Sequence, residues 1–431
     1  SGPIATERGT LSNDLAPVIK VHSDSVSLHG DLDLDFATLA SITSYRDERS
    51  DIAADLEGSY AVVQEATYHQ TFKDFTQEVN LTSAPGTPFS YVVGVFYFHE
   101  KSGDSYFNFN GKPFFHGYLT TDAISGYADG TYKFGKLSII AGLRYSSERK
   151  ALEYGAGAAV GFPVNTNHTF GDLTPRAGLS YALTSSSNVY ATFSKGFKSG
   201  TYNLSSGSIV PVRPEKVDAY EIGYKVQSHR LSFNTSAFYY KYDDIQITAF
   251  DYTVGISRLL NAAKAEIYGV DGDVTWKVSN NFDLHAAAGY THARFKSFPG
   301  AVIFVPNGGN TGNTTVIQDE SGRALLRAPE FTVSATANYR IPLDANQIDL
   351  AVTPYYTSKI NYSFDERIQQ PAYFTLDANL AYVIKGNLRL ALYGKNLTDK
   401  VYATFRSASS TRDGVTYASP RTYGVSASYK F

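Results

Sequence analysis

The chain has 431 residues, and its 38 Lys plus Arg nearly balance 41 Asp plus Glu, for a net charge of -3 that gives no electrostatic case for a nucleic-acid partner. It contains no Cys and no Met, which excludes disulfides, iron–sulfur clusters and thiol chemistry, and its 33 Tyr and 27 Phe stand beside a single Trp. No stretch approaches the ~20 consecutive apolar residues of a transmembrane helix, a test that a membrane β-barrel escapes because its strands hide their apolarity in alternation.

The N-terminus, SGPIATERGT, has neither a basic n-region nor an apolar h-region. The chain is therefore expected to be a processed form or a fragment. Residues 1–20 read as an extracellular loop or irregular segment. From residue 21 to 431 short segments of period-two alternation follow one another. YVVGVFYF (91–98) is apolar on both faces, and NVYATFSKGF (188–197) fits either phase. Residues 231–240 begin with the same alternation, and 282–291 keep it throughout. In FTVSATANYR (331–340), Phe331, Val333, Ala335, Ala337 and Tyr339 oppose Thr332, Ser334, Thr336, Asn338 and Arg340. Residues 374–384 repeat the pattern. At the C-terminus Tyr423, Val425, Ala427, Tyr429 and Phe431 share one face. Helical spacing competes nowhere over a comparable length, so the chain is all-β, with roughly 17 strands.

The connections come in two alternating kinds. Short polar turns fall at Asp33 to Asp35 and at 83–88, 133–136, 184–188, 227–230, 279–281, 343–347 and 385–387. Long connections fall between them, at 50–67, 101–120, 150–170, 198–215, 297–326, 358–371 and 404–420. A soluble sandwich has no reason to collect its long loops at one end. An antiparallel transmembrane β-barrel of the bacterial outer membrane has short periplasmic turns, long extracellular loops and aromatic girdles at strand ends, such as Tyr239, Tyr240 and Tyr242.

Several ordered stretches carry a more specific signal. FTQEVNLTS (75–83), LSIIAGLRYSSERK (137–150), VYATFSKGFKSGTYN (189–203), RPEKVDAYEIGYK (213–225), NAAKAEIYGVDGDV (261–274), LYGKNLTDKVYAT (392–404) and RTYGVSASYKF (421–431) occur in this order. Together they resemble the barrel domain of TonB-dependent outer-membrane receptors. That resemblance implies an outer-membrane receptor for a scarce, bulky solute, most often an iron–siderophore complex, energised through TonB. It also implies about 22 strands around a plug. Neither a plug nor a TonB box is visible here, so the chain is expected to be an N-terminally truncated barrel domain over residues 21–431, with TonB engaged through the missing region. A passive porin of about 16 or 18 strands and a soluble carbohydrate-binding β protein are the alternatives.

Arg144, Glu148, Glu221, Lys225, Asp271, Asp273 and Arg340 fall among the polar alternates. They read as a hydrogen-bonded, salt-bridged lumen wall. In SGDSYFNFNGKPFFHGY (102–118), Tyr106, Phe107, Phe109, Phe114, Phe115 and His116 place rings beside Lys112. With Arg406, Arg412 and Arg421 they are candidate contacts for an anionic or ring-bearing extracellular solute, an upper girdle and loop core being the alternative reading. The terminal face ending in Phe431 resembles the signal read by the barrel-assembly machinery, with lipid and lipopolysaccharide as surroundings. GAGAAVG (155–161) lies in a loop without a βαβ unit and is not a nucleotide site. The nine His show no metal-ligand spacing. No catalysis and no cofactor are expected.

Overall fold

The computed structural model describes residues 15–55, 65–155, 163–204, 208–251, 256–308, 312–410 and 413–431. The first strands are β1 (Val18–Asp33), β2 (Ala37–Asp55), β3 (Glu65–Ser83), β4 (Phe89–Phe109), β5 (Lys112–Phe134) and β6 (Leu137–Tyr154). The chain continues through β7 (Val164–Thr184), β8 (Ser187–Lys198), β9 (Glu215–Gln227), β10 (Leu231–Asp251), β11 (Ile256–Lys277) and β12 (Phe282–Ser297). Next are β13 (Ala301–Pro306), β14 (Asn313–Gln318), β15 (Phe331–Leu343), β16 (Asn346–Thr357), β17 (Ile360–Asn361) and β18 (Gln369–Gln370). The last are β19 (Tyr373–Ile384), β20 (Leu388–Lys395), β21 (Ala403–Ala408), β22 (Asp413–Tyr417) and β23 (Thr422–Tyr429). Among the described residues seventeen strands belong to the main sheet, the number expected from alternation. The short turns fall where the polar clusters place them. β1 begins at Val18, inside the segment read as irregular, and residues 1–14 lie outside the described residues.

Two compact units are distinguished. The first comprises Ser1–Ala177, Ser194–Val217 and Asp243–Ala262. In it β1 to β6 form an antiparallel meander, each strand paired with the next. Alternation fixes which side chain meets which surface. In β6 the apolar Ile139, Leu143 and Tyr145 are exposed on one face, and Arg144, Ser146 and Glu148 occupy the other. Strands of 21 and 23 residues, β4 and β5, outrun the ~9–11 residues that hydrocarbon requires. Their surplus continues as sheet into the layer expected to be loop. The expected long connection at 101–120 is thus a hairpin closed by Asn110 and Gly111, whose φ values of 50° and 70° make the two-residue turn that matches strand twist. The buried core of this unit lies in the extension. Phe115, Leu152, Tyr154, Val164 and Tyr202 are at most 8% exposed and pack with Phe107, Phe114, Leu119 and Leu204.

The second unit comprises Gly178–Phe193, Asp218–Tyr242 and Ala263–Phe431. Here β11, β12, β15, β16, β19, β20 and β23 pair in that order, all antiparallel. Rings on the apolar face form two bands. Near the long-loop end Phe331 opposes Tyr290 and lies 6.2 Å from Tyr356, which opposes Phe374, and Phe282 and Tyr339 pair near the short turns. Phe331 and Tyr339 stand about 26 Å apart along β15 at ~3.3 Å per residue, so a tilted strand fits them to a hydrocarbon band of roughly 25 Å. The connections at 297–326, 358–371 and 404–420 are not open loops. Each folds back on itself as a short hairpin, β13 with β14, β17 with β18 and β21 with β22. Beneath them Phe298, 2% exposed, packs edge-on against Phe364 at 5.0 Å and against Phe295 at 4.8 Å. Among the described residues no helix is long and apolar enough to cross a membrane.

Candidate functional site

The polar face of each unit carries the same four-part arrangement. In the first unit Gly94 faces Tyr127 across β4 and β5. A bare Cα lets the ring lie across it, and a Cβ added there would sit 2.4 Å from the phenol oxygen. The hydroxyl thereby reaches β3 and donates to Glu78 at 2.5 Å. The Arg144 guanidinium lies 5.5 Å from the Tyr127 ring centre and 5.8 Å from that of Phe96. In the second unit Tyr190 lies across Gly223 and donates to Glu221 at 2.5 Å, with the Lys225 ammonium 5.0 Å from its ring. A charged acceptor and a cation on the ring bind the phenol more strongly than neutral partners would. Arg144, Glu221 and Lys225, read from parity alone, are therefore parts of cross-strand staples. The two tyrosines and the glycines beneath them escape a single-strand reading, because their partners lie on neighbouring strands.

Around the second staple the polar face opens into a cavity of about 670 Å³, lined by Tyr190, Lys225, Asp271, Asp273 and Tyr355. Ser236 donates to Asp271 at 2.6 Å, and the Asn234 amide donates to Asp273 at 3.1 Å. Further along, Arg340 and Asn338 both donate to Asp283, at 3.3 and 2.8 Å. In the first unit Glu148 pairs with Lys150 at 3.4 Å. All seven residues read as a polar wall thus lie on the polar sheet faces, each in an ion-pair, hydrogen-bond or ring contact with a named neighbour.

The aromatic segment at 102–118 divides. Phe107, Phe114 and Phe115 are loop core, with Phe107 5.1 Å from Phe115 and Phe115 stacked at 5.7 Å on Tyr154. Phe109 leans on Phe114 at 6.3 Å. Tyr106 is exposed and stacks on His69 at 5.4 Å, and Lys112 and His116 are exposed as well. Under this cluster Asp104 is 7% exposed, and burial raises its carboxyl above the usual range. Burial likewise pushes the Tyr154 phenol up to about 12. Of the candidate arginines, Arg406 lies on β21 with its Nε buried and without an acceptor. Arg421 is 3.8 Å from Asp399, and Arg412 lies outside the described residues.

A tie absent from the sequence reading joins the three hairpin loops of the second unit. Arg367 donates twice to Asp413, at 2.5 and 3.0 Å, and once to the Phe304 carbonyl at 3.1 Å. The Asn313 amide donates to the same carboxylate at 3.1 Å. The Arg367 hydrogen bonds hold the Asp413 carboxyl below its ordinary value. Its partners lie 46 and 63 residues away, beyond any local pattern.

An antiparallel sheet with one apolar, ring-banded face and one charged face is the wall of an outer-membrane β-barrel. The family model "TonB dependent receptor-like, beta-barrel" matches residues 2–397, and the chain belongs to that family of the bacterial outer membrane. It is 24% identical over 304 residues to the pesticin receptor of Yersinia enterocolitica, covering 67% of this chain and 41% of that protein. It is 24% identical over 232 residues to the rhizobactin receptor of Rhizobium meliloti, covering 46% of this chain and 31% of the relative. The ferric yersiniabactin uptake receptor FyuA of Yersinia pestis superposes with a TM-score of 0.80 at 19% identity, over 96% of this chain and 62% of that one. The ferric citrate transporter FecA gives 0.76 at 16% identity, over 96% and 62%. The chain thus spans less than half of the pesticin receptor that it matches.

Proposed function

We propose that the chain is the barrel part of a receptor that binds an iron–siderophore complex at the cell surface and imports it by an active, TonB-energised step. The observation that carries this reading is the family match over residues 2–397, joined to relatives named for ferric pyoverdine, rhizobactin and ferric yersiniabactin. The wall agrees with such a role. Its polar face is cross-braced by charged and ring contacts, and its long-loop end carries cations and rings for an anionic, bulky solute. Residues 21–431 are the barrel domain of this receptor. TonB is engaged through a region outside the chain, and the assembly machinery through β23 and the Phe431 that follows it. A passive porin has no support from the family. Deleting the gene and measuring uptake of radiolabelled ferric siderophores by iron-starved cells tests the reading: uptake of at least one chelate is lost and returns on complementation. Unchanged uptake of every chelate, with lowered permeation of small sugars instead, would replace it with a porin.

A further inference from the structure

Asp104 lies in the surplus length of β4 and belongs to no ion pair among the described residues. It is 7% exposed, and its Oδ1 is buried without a hydrogen-bond partner. One row of the sheet contains it: Gln70 of β3 opposes Asp104, Asp104 opposes Gly117 of β5, and Gly117 opposes Tyr154 of β6. Tyr154 is 3% exposed, and its hydroxyl is a second buried oxygen in this row without a partner. The Tyr154 ring lies against the bare Cα of Gly117, where an added Cβ would meet Cδ2 at 3.0 Å. Two unsatisfied groups thus stand two strands apart with only a glycine between them.

The surroundings supply no counter-charge. Toward the hairpin tip the next row is Tyr68, Phe107 and Phe115, and toward the membrane it is Ser102, Leu119 and Leu152. Charged groups on this face begin one row further down, with Asp74, Glu100 and Lys150. These have partners of their own: Arg46 donates to Asp74 at 2.8 Å, Ser102 to Glu100 at 2.8 Å and Lys150 to Thr121 at 3.0 Å. Alternation puts the remaining nearby pairs on the opposite face, His69 with Asp51 at 2.5 Å, His99 with Asp122 at 2.7 Å and Lys101 with Glu153 at 2.8 Å. Burial raises the Asp104 carboxyl above its usual range and outweighs the Gln70 hydrogen bond, which favours ionisation. The Tyr68 and Tyr154 phenols, both raised by burial, stay neutral around it.

We propose that Asp104 is a pH-sensitive latch for the β4–β5 hairpin. With a proton, its carboxyl is neutral in an apolar core and has a hydrogen to give, for which the Tyr154 hydroxyl is the unpaired acceptor in the row. Without one, it is a buried charge with no cation beside it, and the hairpin must loosen to bring it to water. The closed hairpin therefore holds the proton more tightly than the open one. Closure is fully favoured below the ordinary carboxylate value and weakens as pH rises from there through the folded value. The direction is opposite to that of Asp413, whose bond to Arg367 fails in acid. The latch sets the mobility of this part of the long-loop layer by the acidity of the medium, whichever solute is carried.

Amide hydrogen exchange of the full chain in detergent, corrected for intrinsic rates, tests this in residues 102–109 and 112–119 between about pH 4 and pH 8. Wild-type protection is expected to fall at least about threefold across that range. Asp104→Asn keeps the shape and cannot ionise, so its protection is expected to stay level within about twofold and to exceed that of the wild type at the alkaline end. Asp104→Leu, which requires no hydrogen-bond partner, is expected to be level too, so a defect peculiar to asparagine does not decide the result. Unchanged exchange in β15 and β16 shows that each variant is folded. Wild-type protection that is level or rises with pH overturns the latch. A fall of wild-type size in either variant also overturns it and assigns the effect to His69 or His99. Protection lost at every pH in both variants would make Asp104 a fixed brace rather than a latch.

Discussion

Tyr127 donates to Glu78 across the bare Cα of Gly94, so one hydrogen bond of 2.5 Å spans three adjacent strands. The bond exists only because Gly94 has no side chain. Gly94→Ala is expected to displace the ring and to destabilise the chain by about 1–3 kcal/mol. Tyr127→Phe, which leaves Glu78 without its donor, is expected to cost about 1–2 kcal/mol. With the ring gone in Tyr127→Ala, adding Gly94→Ala costs much less than it does alone. Equilibrium unfolding in detergent, followed through the single tryptophan Trp276, measures all three. Equal costs of Gly94→Ala in both backgrounds would contradict the staple.

Arg367 touches two hairpin loops while sitting in a third. Arg367→Ala is expected to raise amide hydrogen exchange in Ala301–Pro306 and Asp413–Tyr417 about tenfold. Exchange in β15 and β16, whose ladder hydrogen bonds do not involve it, should stay unchanged. A uniform rise over the whole unit would mean that Arg367 supports the fold rather than the loop layer.

The same pair has a pH signature. The Arg367 hydrogen bonds hold the Asp413 carboxyl below the ordinary carboxylate range. A folded pKa below the unfolded one gives a contribution fully present above the unfolded value and lost as pH falls through the folded value. Loop protection is therefore expected to be flat from pH 7 to about 5 and to fall below about 4. In Asp413→Asn this acid step is expected to shrink. Exchange measured at several pH values, corrected for intrinsic rates, decides it, and a step centred near pH 6 would assign the effect to histidine instead.

Alternation along one chain is sufficient to place strands, so the seventeen-strand sheet, its turns and the parity of Arg144, Glu221 and Asp271 are legible in sequence. What lies between strands is less so. Long polar segments read as loops although β4 and β5 continue to the Asn110–Gly111 turn, and that dipeptide was the available signal. Phe107, Phe114 and Phe115 read either as ligand contacts or as loop core, because a sequence states that rings are near one another but not that Leu152, Tyr154 and Tyr202 cover them. Arg367 carries no pattern at all, because its role follows from residues 46 and 63 positions away.

Phe431 follows β23, whose Tyr423, Val425 and Tyr429 are exposed on the apolar face beside Leu392 and Leu390 of β20. The terminal ring packs edge-on against Tyr429 at 5.2 Å and is otherwise open. Phe431→Ser removes almost no packing, so the purified chain should keep its stability within about 0.5 kcal/mol. In cells its amount in the outer-membrane fraction is expected to fall several-fold, because an assembly signal acts before folding. A variant that reaches the membrane at wild-type levels would leave the terminal aromatic without that role.

The most direct test of the account is accumulation of radiolabelled ferric siderophore by iron-starved cells that express the protein, with and without a functional TonB and with and without a protonophore. An energised receptor is expected to concentrate the chelate above its external level only when both TonB and the proton gradient are intact. Equal accumulation in all conditions, never exceeding the external concentration, would contradict it and leave the wall described here lining a passive pore.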